Sequence, residues 1–416
     1  MSLKKKHVTI IGAGIAGLAA ADRLTEWGLH VSLLEKTPFP GGHAIQLSCK
    51  ATDNCVKCGA CLAEDKLLRV ERNPKIQILT GTRMETLSGP PPFRLRYRST
   101  SPLVNAEKCN GCGICLRICP VPGAILQGQA PRVGPYVAIR QDLCLYFEAD
   151  NCALCRDACP QGAIQLSAEE PACELETDAL LIATGFRPYN PATKPYGYGL
   201  FQNVLTSLDA ERILRDHFFL KRPSDGLIAQ RIAFIQCVGS RDATLGHPWC
   251  SKICCGSSLR MARLIQSRQA EAQITFFYID VQTFGKNFQS FYKDTSEQVK
   301  MIRAIPGDII NTEKDELQVF YFDPEAHSST EDLFDLVVLS IGLTPPEENL
   351  RLTQIIDWTL EKDGFVSSHD NANTHRQKGV FTTGTAMGPM TIAETIGSAE
   401  KTAFDMIQFL GGREWI

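Results

Sequence analysis

The chain has little charge and no excess of either sign. Of its 416 residues 21% are charged, and the formal net charge is -3, which excludes a long acidic or basic disordered tail. It lacks the clustered Lys and Arg that nucleic-acid binding requires. It also lacks any run of the ~18 apolar residues needed to span a membrane. The start, Lys4-Lys5-Lys6 ahead of an apolar run from Val8 to Ala21, imitates a signal peptide. Gly12, Gly14 and Gly17 and the second apolar strand Val31–Glu35 argue otherwise, so a cytoplasmic chain is expected. Cysteine is the outlier. Seventeen in 416 is an odd number and well below the ~8–10% of secreted disulfide scaffolds. A chain of this length has no need of disulfide staples, which leaves metal or redox chemistry.

At about 150 residues per domain the chain should hold two or three domains. Strand candidates at His7–Ile11, Val31–Leu34, Ile76–Leu79, Ala179–Ile182, Arg231–Gln236, Ile274–Tyr278 and Leu333–Ser340 alternate with helix candidates. The helices are Gly14–Glu26, Ser207–Asp216, Ser257–Ser267, Asn287–Ile302 and Thr391–Leu410. Alternation of this kind predicts parallel, doubly wound sheets. Ser88-Gly89-Pro90-Pro91-Pro92, Pro188–Gly199 and Pro345-Pro346 read as linkers.

Gly12-Ala13-Gly14-Ile15-Ala16-Gly17 follows a strand and opens a helix, and Glu35 ends the next strand 23 residues after Gly12. The first glycine allows the tight turn, the second admits a pyrophosphate, and the third lets helix and strand pack closely. The pyrophosphate then meets a helix N-terminus with its unpaired N–H donors, and Glu35, with Lys36 beside it, faces the adenosine ribose. Three features favour FAD over NAD. Gly41-Gly42-His43 lies where two-dinucleotide-domain flavoproteins bring the chain near the ribityl group. Ala183-Thr184-Gly185 ends a strand as in those proteins. Gly384-Thr385 leads into a helix from Thr391-Ile392, whose positive end would face a reduced flavin. Thr385 stands where the commoner flavoprotein pattern has Asp, and plain turn chemistry is the alternative for these late glycines. A second nucleotide domain begins at Arg231–Gln236, but Cys237-Val238-Gly239-Ser240-Arg241 follows without fingerprint glycines, so nicotinamide binding is not expected there.

Cys109-x2-Cys112-x2-Cys115-x3-Cys119-Pro120 is the bacterial ferredoxin run, in which the last cysteine ligates the partner cluster. The partner is Cys144-x7-Cys152-x2-Cys155-x3-Cys159-Pro160. Crossover predicts Cys109, Cys112, Cys115 and Cys159 on one [4Fe-4S] cluster and Cys144, Cys152, Cys155 and Cys119 on the other; structural zinc is the alternative. Cys49-x5-Cys55-x2-Cys58-x2-Cys61 is half a ferredoxin run without Cys-Pro, open to a further cluster, zinc or free thiols. Cys237-x12-Cys250-x3-Cys254-Cys255 holds an adjacent pair that cannot both face inward from one regular helix. An irregular helix entry near Gly256 and a redox disulfide are both open. Cys173 reads as a small buried apolar residue. His43 and Lys286 could approach a flavin or serve as packing and surface. Phe218-Phe219-Leu220 reads as core ahead of a partner interface.

In combination the flavin fingerprint, Gly41-Gly42, the Thr-Asp-x-Cys-x-x-Cys stretch from Thr52 to Cys58, the double ferredoxin run and Cys237–Arg241 followed by Cys-x3-Cys-Cys resemble the HdrA subunit of heterodisulfide reductase. Asn203–Ser207, Phe284–Phe288 and Gly384–Glu394 extend the resemblance over nearly the whole chain. It implies an α/β fold of two Rossmann-like, thioredoxin-reductase-like domains with an inserted 2[4Fe-4S] ferredoxin domain. It also implies an unusual [4Fe-4S] cluster beside the FAD, held by Cys237, Cys250, Cys254 and Cys255. The expected division is 1–104 and 169–222 for the FAD domain and its connector, 105–168 for the ferredoxin insert, 223–345 for the NAD-like domain and 346–416 for the FAD domain's last part. The methanogen form has a further N-terminal and a C-terminal ferredoxin domain outside the region of resemblance, and Cys49 and Cys61 are particular to this chain.

The resemblance further implies an electron-transfer subunit within a larger complex. Its partners would be subunits resembling HdrB and HdrC, or hydrogenase- or ferredoxin-linked ones, with this chain as a homodimer; flavin-based bifurcation is the family extension. Complexes of this kind serve aromatic-ring reduction, quinone-linked sulfate respiration or methylene-tetrahydrofolate reduction. Two rivals stand beside it: a self-contained NAD(P)H oxidoreductase like the glutamate synthase small subunit, and a zinc-stapled scaffold.

Overall fold

The computed structural model describes residues 6–100, 102–128, 130, 136–149, 152–167, 171–282, 285–356, 358–366 and 379–411. Phe284 of the resemblance motif and residues 168–169 at an expected boundary lie outside the described residues.

Two five-stranded parallel sheets organise the chain. The first runs Val380–Thr382, Ala179–Ile182, His7–Ile11, His30–Leu34, Ile76–Leu79, and the second Val204–Thr206, Leu336–Ile341, Arg231–Val238, Gln273–Phe277, Lys300–Ile302. Their central strands are buried along their length, which is why they read as unbroken apolar runs rather than as alternation. In the first unit the helix Ile15–Glu26 buries Ala16, Gly17, Ala19, Ala20 and Ala21. That small-residue face lets Ile392–Phe409 pack closely across it.

Two differences from the sequence expectation concern boundaries. Leu333–Ser340 is two strands, the hairpin arm Ser328–Phe334 and the core strand Leu336–Ile341. Asp335 separates them because its carboxylate accepts the Gln230 and Arg231 amides and pairs with the Arg231 guanidinium. Asn287–Ile302 is helical only over Phe288–Ser296; Lys300–Ile302 joins the second sheet as its edge. The strand Val204–Thr206, expected within the FAD-side connector, pairs with Leu336–Ile341 in the second sheet.

A three-stranded antiparallel sheet, Thr82–Ser88, Phe93–Ser99, Ala172–Thr177, sits on the first unit. Because Phe93–Ser99 pairs directly with Ala172–Thr177, everything between is an excursion whose ends are tied together. Inside it Val104 bridges Ile164, and the short strands Ile125–Gln127 and Val137–Ile139 pair, a small two-fold arrangement around its own core. The two large units are joined by a ribbon, Arg187–Pro188 against Leu343–Thr344.

Candidate functional site

Around the glycine fingerprint, Gly12, Ala13, Gly14, Gly17, Glu35, Gly41, Gly42 and Ala183 lie against one another in a cradle. A Cβ on Gly12 would lie 2.3 Å from the Ala183 carbonyl oxygen, and one on Gly17 2.0 Å from that of Gly12. A Cβ on Gly14 would meet nothing within 4 Å except what approaches from outside. The middle glycine therefore faces open space at the head of the helix Ile15–Glu26, where a pyrophosphate needs to come close. Gly41 donates its N–H to the Ala13 carbonyl at 2.7 Å, and a Cβ on Gly42, whose φ is +60°, would stand 3.0 Å from the Gly14 backbone. The buried Glu35 accepts the Ala13 N–H at 2.8 Å and both donors of Thr37, so its carboxylate is locked at the edge of the turn. Lys36 is exposed.

Across the cradle, Thr184 donates to the buried Asn349 at 2.9 Å, a partner that sequence spacing did not signal. Gly185 lies beside Thr385, and Gly384 packs against Ala16 and Thr395. Thr391 and Glu394 form a reciprocal capping box at the head of Ile392–Phe409, which leaves the Ile392 and Ala393 amides of that turn to face negative charge. His43 packs against Phe186 with ring centroids 4.8 Å apart and planes tilted by 37°. Burial holds its imidazole below the ordinary value of 6.5, against a backbone hydrogen bond at Phe186 that raises it and with Lys36 adding to the lowering. Lys286 is exposed. The glycine turn, Glu35 and the open approach at Gly14 fit the pyrophosphate and ribose of a dinucleotide; a flavin dinucleotide would supply one- and two-electron exchange when bound.

In the excursion, Cys109, Cys112, Cys115 and Cys159 line one hollow, and Cys119, Cys144, Cys152 and Cys155 line the other. Each run thus sends its last cysteine to the opposite hollow. Burial and the nearby Cys144 push the Cys155 thiol up to about 11, with Cys119 and Cys115 contributing. Ala163 donates its N–H to the Cys159 sulfur at 3.4 Å, a bond of the kind that tunes cluster potentials.

The third quartet grows out of the second sheet. Cys237 sits near the end of the strand Arg231–Val238 with φ +60°, and Cys254 and Cys255 occupy the first turn of the helix Cys254–Arg268. Both adjacent cysteines are buried, within the first turn of a regular helix rather than at an irregular entry. Cys254 reaches toward the Ile341 carbonyl and Cys255 toward that of Asp280. Burial raises the Cys237 thiol to about 11, with Cys255 adding and Arg241 opposing; Cys254 is raised by burial and by Cys237, Cys255 and Cys250. Lys252 links this quartet to the cradle: its N–H donates to the Cys250 sulfur at 3.3 Å and its Nζ to Glu394 at 2.7 Å.

Where a second glycine fingerprint would open, Gly239 instead packs under Tyr189, and a Cβ there would stand 2.1 Å from the ring. In the remaining group, Cys49, Cys55 and Cys61 are exposed and Cys58 half-buried. The Cys61 thiol is pushed up by partial desolvation, then by Asp65, Cys58 and Cys49. Lys57 donates its N–H to Cys55 at 3.4 Å, and Gly59 packs on Ile392. Among the described residues no three His, Cys, Asp or Glu side chains are grouped to ligate a single metal ion, and the two ferredoxin quartets each surround a shared hollow instead. Two smaller expectations are corrected. Cys173 is half-buried, on a strand next to Tyr97. Phe218 is 55% exposed beneath the Arg268 guanidinium, while Leu220 alone of that group is fully buried.

Comparison with known proteins agrees with this geometry. NAD(P)-binding Rossmann-like domains match residues 10–60, and 4Fe-4S binding domains match 101–125. Thioredoxin reductases of T. acidophilum and Lactococcus lactis superpose with TM-scores of 0.54 each, at 14% and 15% identity, covering 97% and 98% of this chain and 99% of theirs; they establish the fold. The HdrA subunit of the H(2):CoB-CoM heterodisulfide,ferredoxin reductase of Methanothermobacter marburgensis is 33% identical, over 96% of this chain and 64% of its own. The iron-sulfur HdrA subunit of the CoB–CoM heterodisulfide reductase of Methanocaldococcus jannaschii is 34% identical, over 96% of this chain and 63% of its own. The chain is therefore HdrA-like, similar to these heterodisulfide reductase subunits along almost all of its own length and spanning somewhat under two thirds of theirs.

Proposed function

We propose that the chain is an FAD- and [4Fe-4S]-containing electron-transfer subunit of a multi-subunit oxidoreductase, taking FAD in the Gly12–Gly17 cradle. One cluster would sit at Cys237, Cys250, Cys254 and Cys255, two in the ferredoxin insert, and a fourth at Cys49, Cys55, Cys58 and Cys61. The observation that carries the reading is Lys252, which bonds a cysteine sulfur through its amide and the head of the cradle's helix through its ammonium. Electron carriers in these two places would be neighbours. The protein's own part is to hold them: buried and half-buried thiols set the quartet, amide-to-sulfur bonds adjust it, and the capped helix favours added negative charge on the cradle side.

The packing of Tyr189 over Gly239 supports reduced redox proteins or partner subunits, rather than a nicotinamide bound at the second sheet, as electron source. Among the described residues no helix is long and apolar enough to cross a membrane.

The test is a redox titration of anaerobically prepared protein, followed by flavin absorbance and EPR. The expected result is one FAD per chain, with flavin reduction coupled to a cluster signal that Cys250→Ser abolishes. Rapid flavin bleaching by NAD(P)H, or a colourless preparation rich in zinc, would overturn it.

A further inference from the structure

Resting on the reading of Cys49, Cys55, Cys58 and Cys61 as a cluster site, we propose that the buried Lys50–Glu211 ion pair is the positioning device that presents Cys49 to that quartet. Cys55 and Cys58 lie on the short loop leading into the helix Ala60–Glu71 and Cys61 lies in its first turn, and Cys55 and Cys58 are steadied nearby, Lys57 donating to Cys55 and Arg260 donating to the Val56 carbonyl at 3.3 Å. Cys49 comes from a separate stretch and needs its own anchor.

That anchor is built into the residues on either side. Ser48 and Lys50 are 1% and 2% exposed, whereas Cys49 between them is exposed. Burial alternates over 48–50, so the two inward residues flank a Cys49 that faces out. Both inward residues end on one carboxylate. Glu211, itself 1% exposed on the helix Ser207–His217, accepts the Ser48 N–H at 2.9 Å, the Ser48 hydroxyl at 2.7 Å and Lys50 Nζ at 2.6 and 2.8 Å on its two oxygens. Ser257 adds a bond at 3.4 Å from the helix that begins with Cys254 and Cys255.

A buried ion pair is a poor source of stability, since well-packed apolar residues of the same volume commonly do as well; what such a pair can supply is register. Here a slip by one residue would turn Cys49 inward, expel Lys50 and leave the Glu211 charge unpaired in the interior. Lys50 and Glu211 are positioning residues, acting on the cluster through Cys49.

The experiment compares the whole chain, prepared anaerobically, as wild type, Cys49→Ser, Lys50→Met and Glu211→Gln. Iron and acid-labile sulfide per flavin, the EPR signals of the reduced protein, and the rate of iron loss to a chelator are read. Lys50→Met is expected to reproduce the Cys49→Ser loss of one cluster's iron and EPR signal, with flavin content and the remaining signals unchanged. Glu211→Gln keeps the shape and removes only the charge. It is expected to speed chelator-driven loss of that same cluster about 10–100-fold, the usual cost of losing a supporting partner, and it decides the matter should Lys50→Met fail to fold. Wild-type retention in both variants, with Cys49→Ser still losing the cluster, overturns the anchoring role alone. No change in Cys49→Ser overturns the cluster reading on which it rests.

Discussion

The two parallel sheets pose the same structural question at the same place and answer it differently. In the first a strand ends at a tight turn that opens a helix; in the second a longer stretch holding the short turn Ala243–Leu245 lies between the strand and the helix Cys254–Arg268. After His7–Ile11 the turn is Gly12 to Gly17, and the missing Cβ at Gly14 leaves room for phosphate. After the core of Arg231–Val238 the turn carries a thiol, Cys237, at φ +60°, and its glycine, Gly239, is used up by the Tyr189 ring. The helix that follows the first turn offers bare amides; the one that follows the second opens with Cys254 and Cys255. A topology that commonly cradles phosphate thus becomes a cradle for sulfur by exchanging small residues for cysteines and filling the phosphate space with an aromatic ring.

The largest effect expected on this contrast is at Gly12. Gly12→Val must place a Cβ against the Ala183 carbonyl at φ +108°, where neither neighbour is a flexible side chain, so flavin is expected to be lost entirely from the purified protein by absorbance. Cys254→Ser should break the second cradle alone: one cluster's iron disappears while flavin stays. In the wild type, burial that raises Cys237 to about 11 means that loading must expel its proton, and reconstitution yield followed by EPR should climb from about pH 7 to about pH 9. Tyr189→Ala tests whether the filled space is the barrier to a nucleotide. It should cost about 1–3 kcal/mol in denaturant unfolding, as a partly buried ring leaves a cavity, without creating NAD(P)H binding, because the glycines remain absent. The smallest effect belongs to Lys252→Met. Its ion pair with Glu394 is 30% and 45% exposed, so stability should fall by less than about 1 kcal/mol, while stopped-flow transfer between flavin and the Cys250 cluster slows.

A pH experiment sharpens the first cradle. His43 is held below 6.5 by burial, so near its ordinary value the unfolded chain binds a proton that the native chain refuses. The contribution of His43 to stability is therefore present above 6.5 and declines as pH falls through it. His43→Gln should flatten that part of the profile in urea titrations spanning roughly pH 5–8.

Much of this was legible in the order of residues. Glycines at 12, 14 and 17 and the Cys-Pro ends of two ferredoxin runs are local signals, because turn sterics and cluster geometry act over a few residues of chain. The unbroken apolar strands were equally plain, since burial on both faces leaves no alternation to misread. The helix Asn287–Ile302 was overextended because polar residues after Ser296 carry no stop signal; the neighbouring strand Gln273–Phe277 decides that Lys300–Ile302 is a sheet edge. What only the tertiary structure decided are the partnerships at long range: Asn349 with Thr184, Tyr189 over Gly239, Lys252 with Glu394, and Lys50 with Glu211. Sequence spacing encodes which atoms can meet within one turn of chain, whereas these pairs meet because two sheets and a connecting ribbon bring together residues up to 165 positions apart.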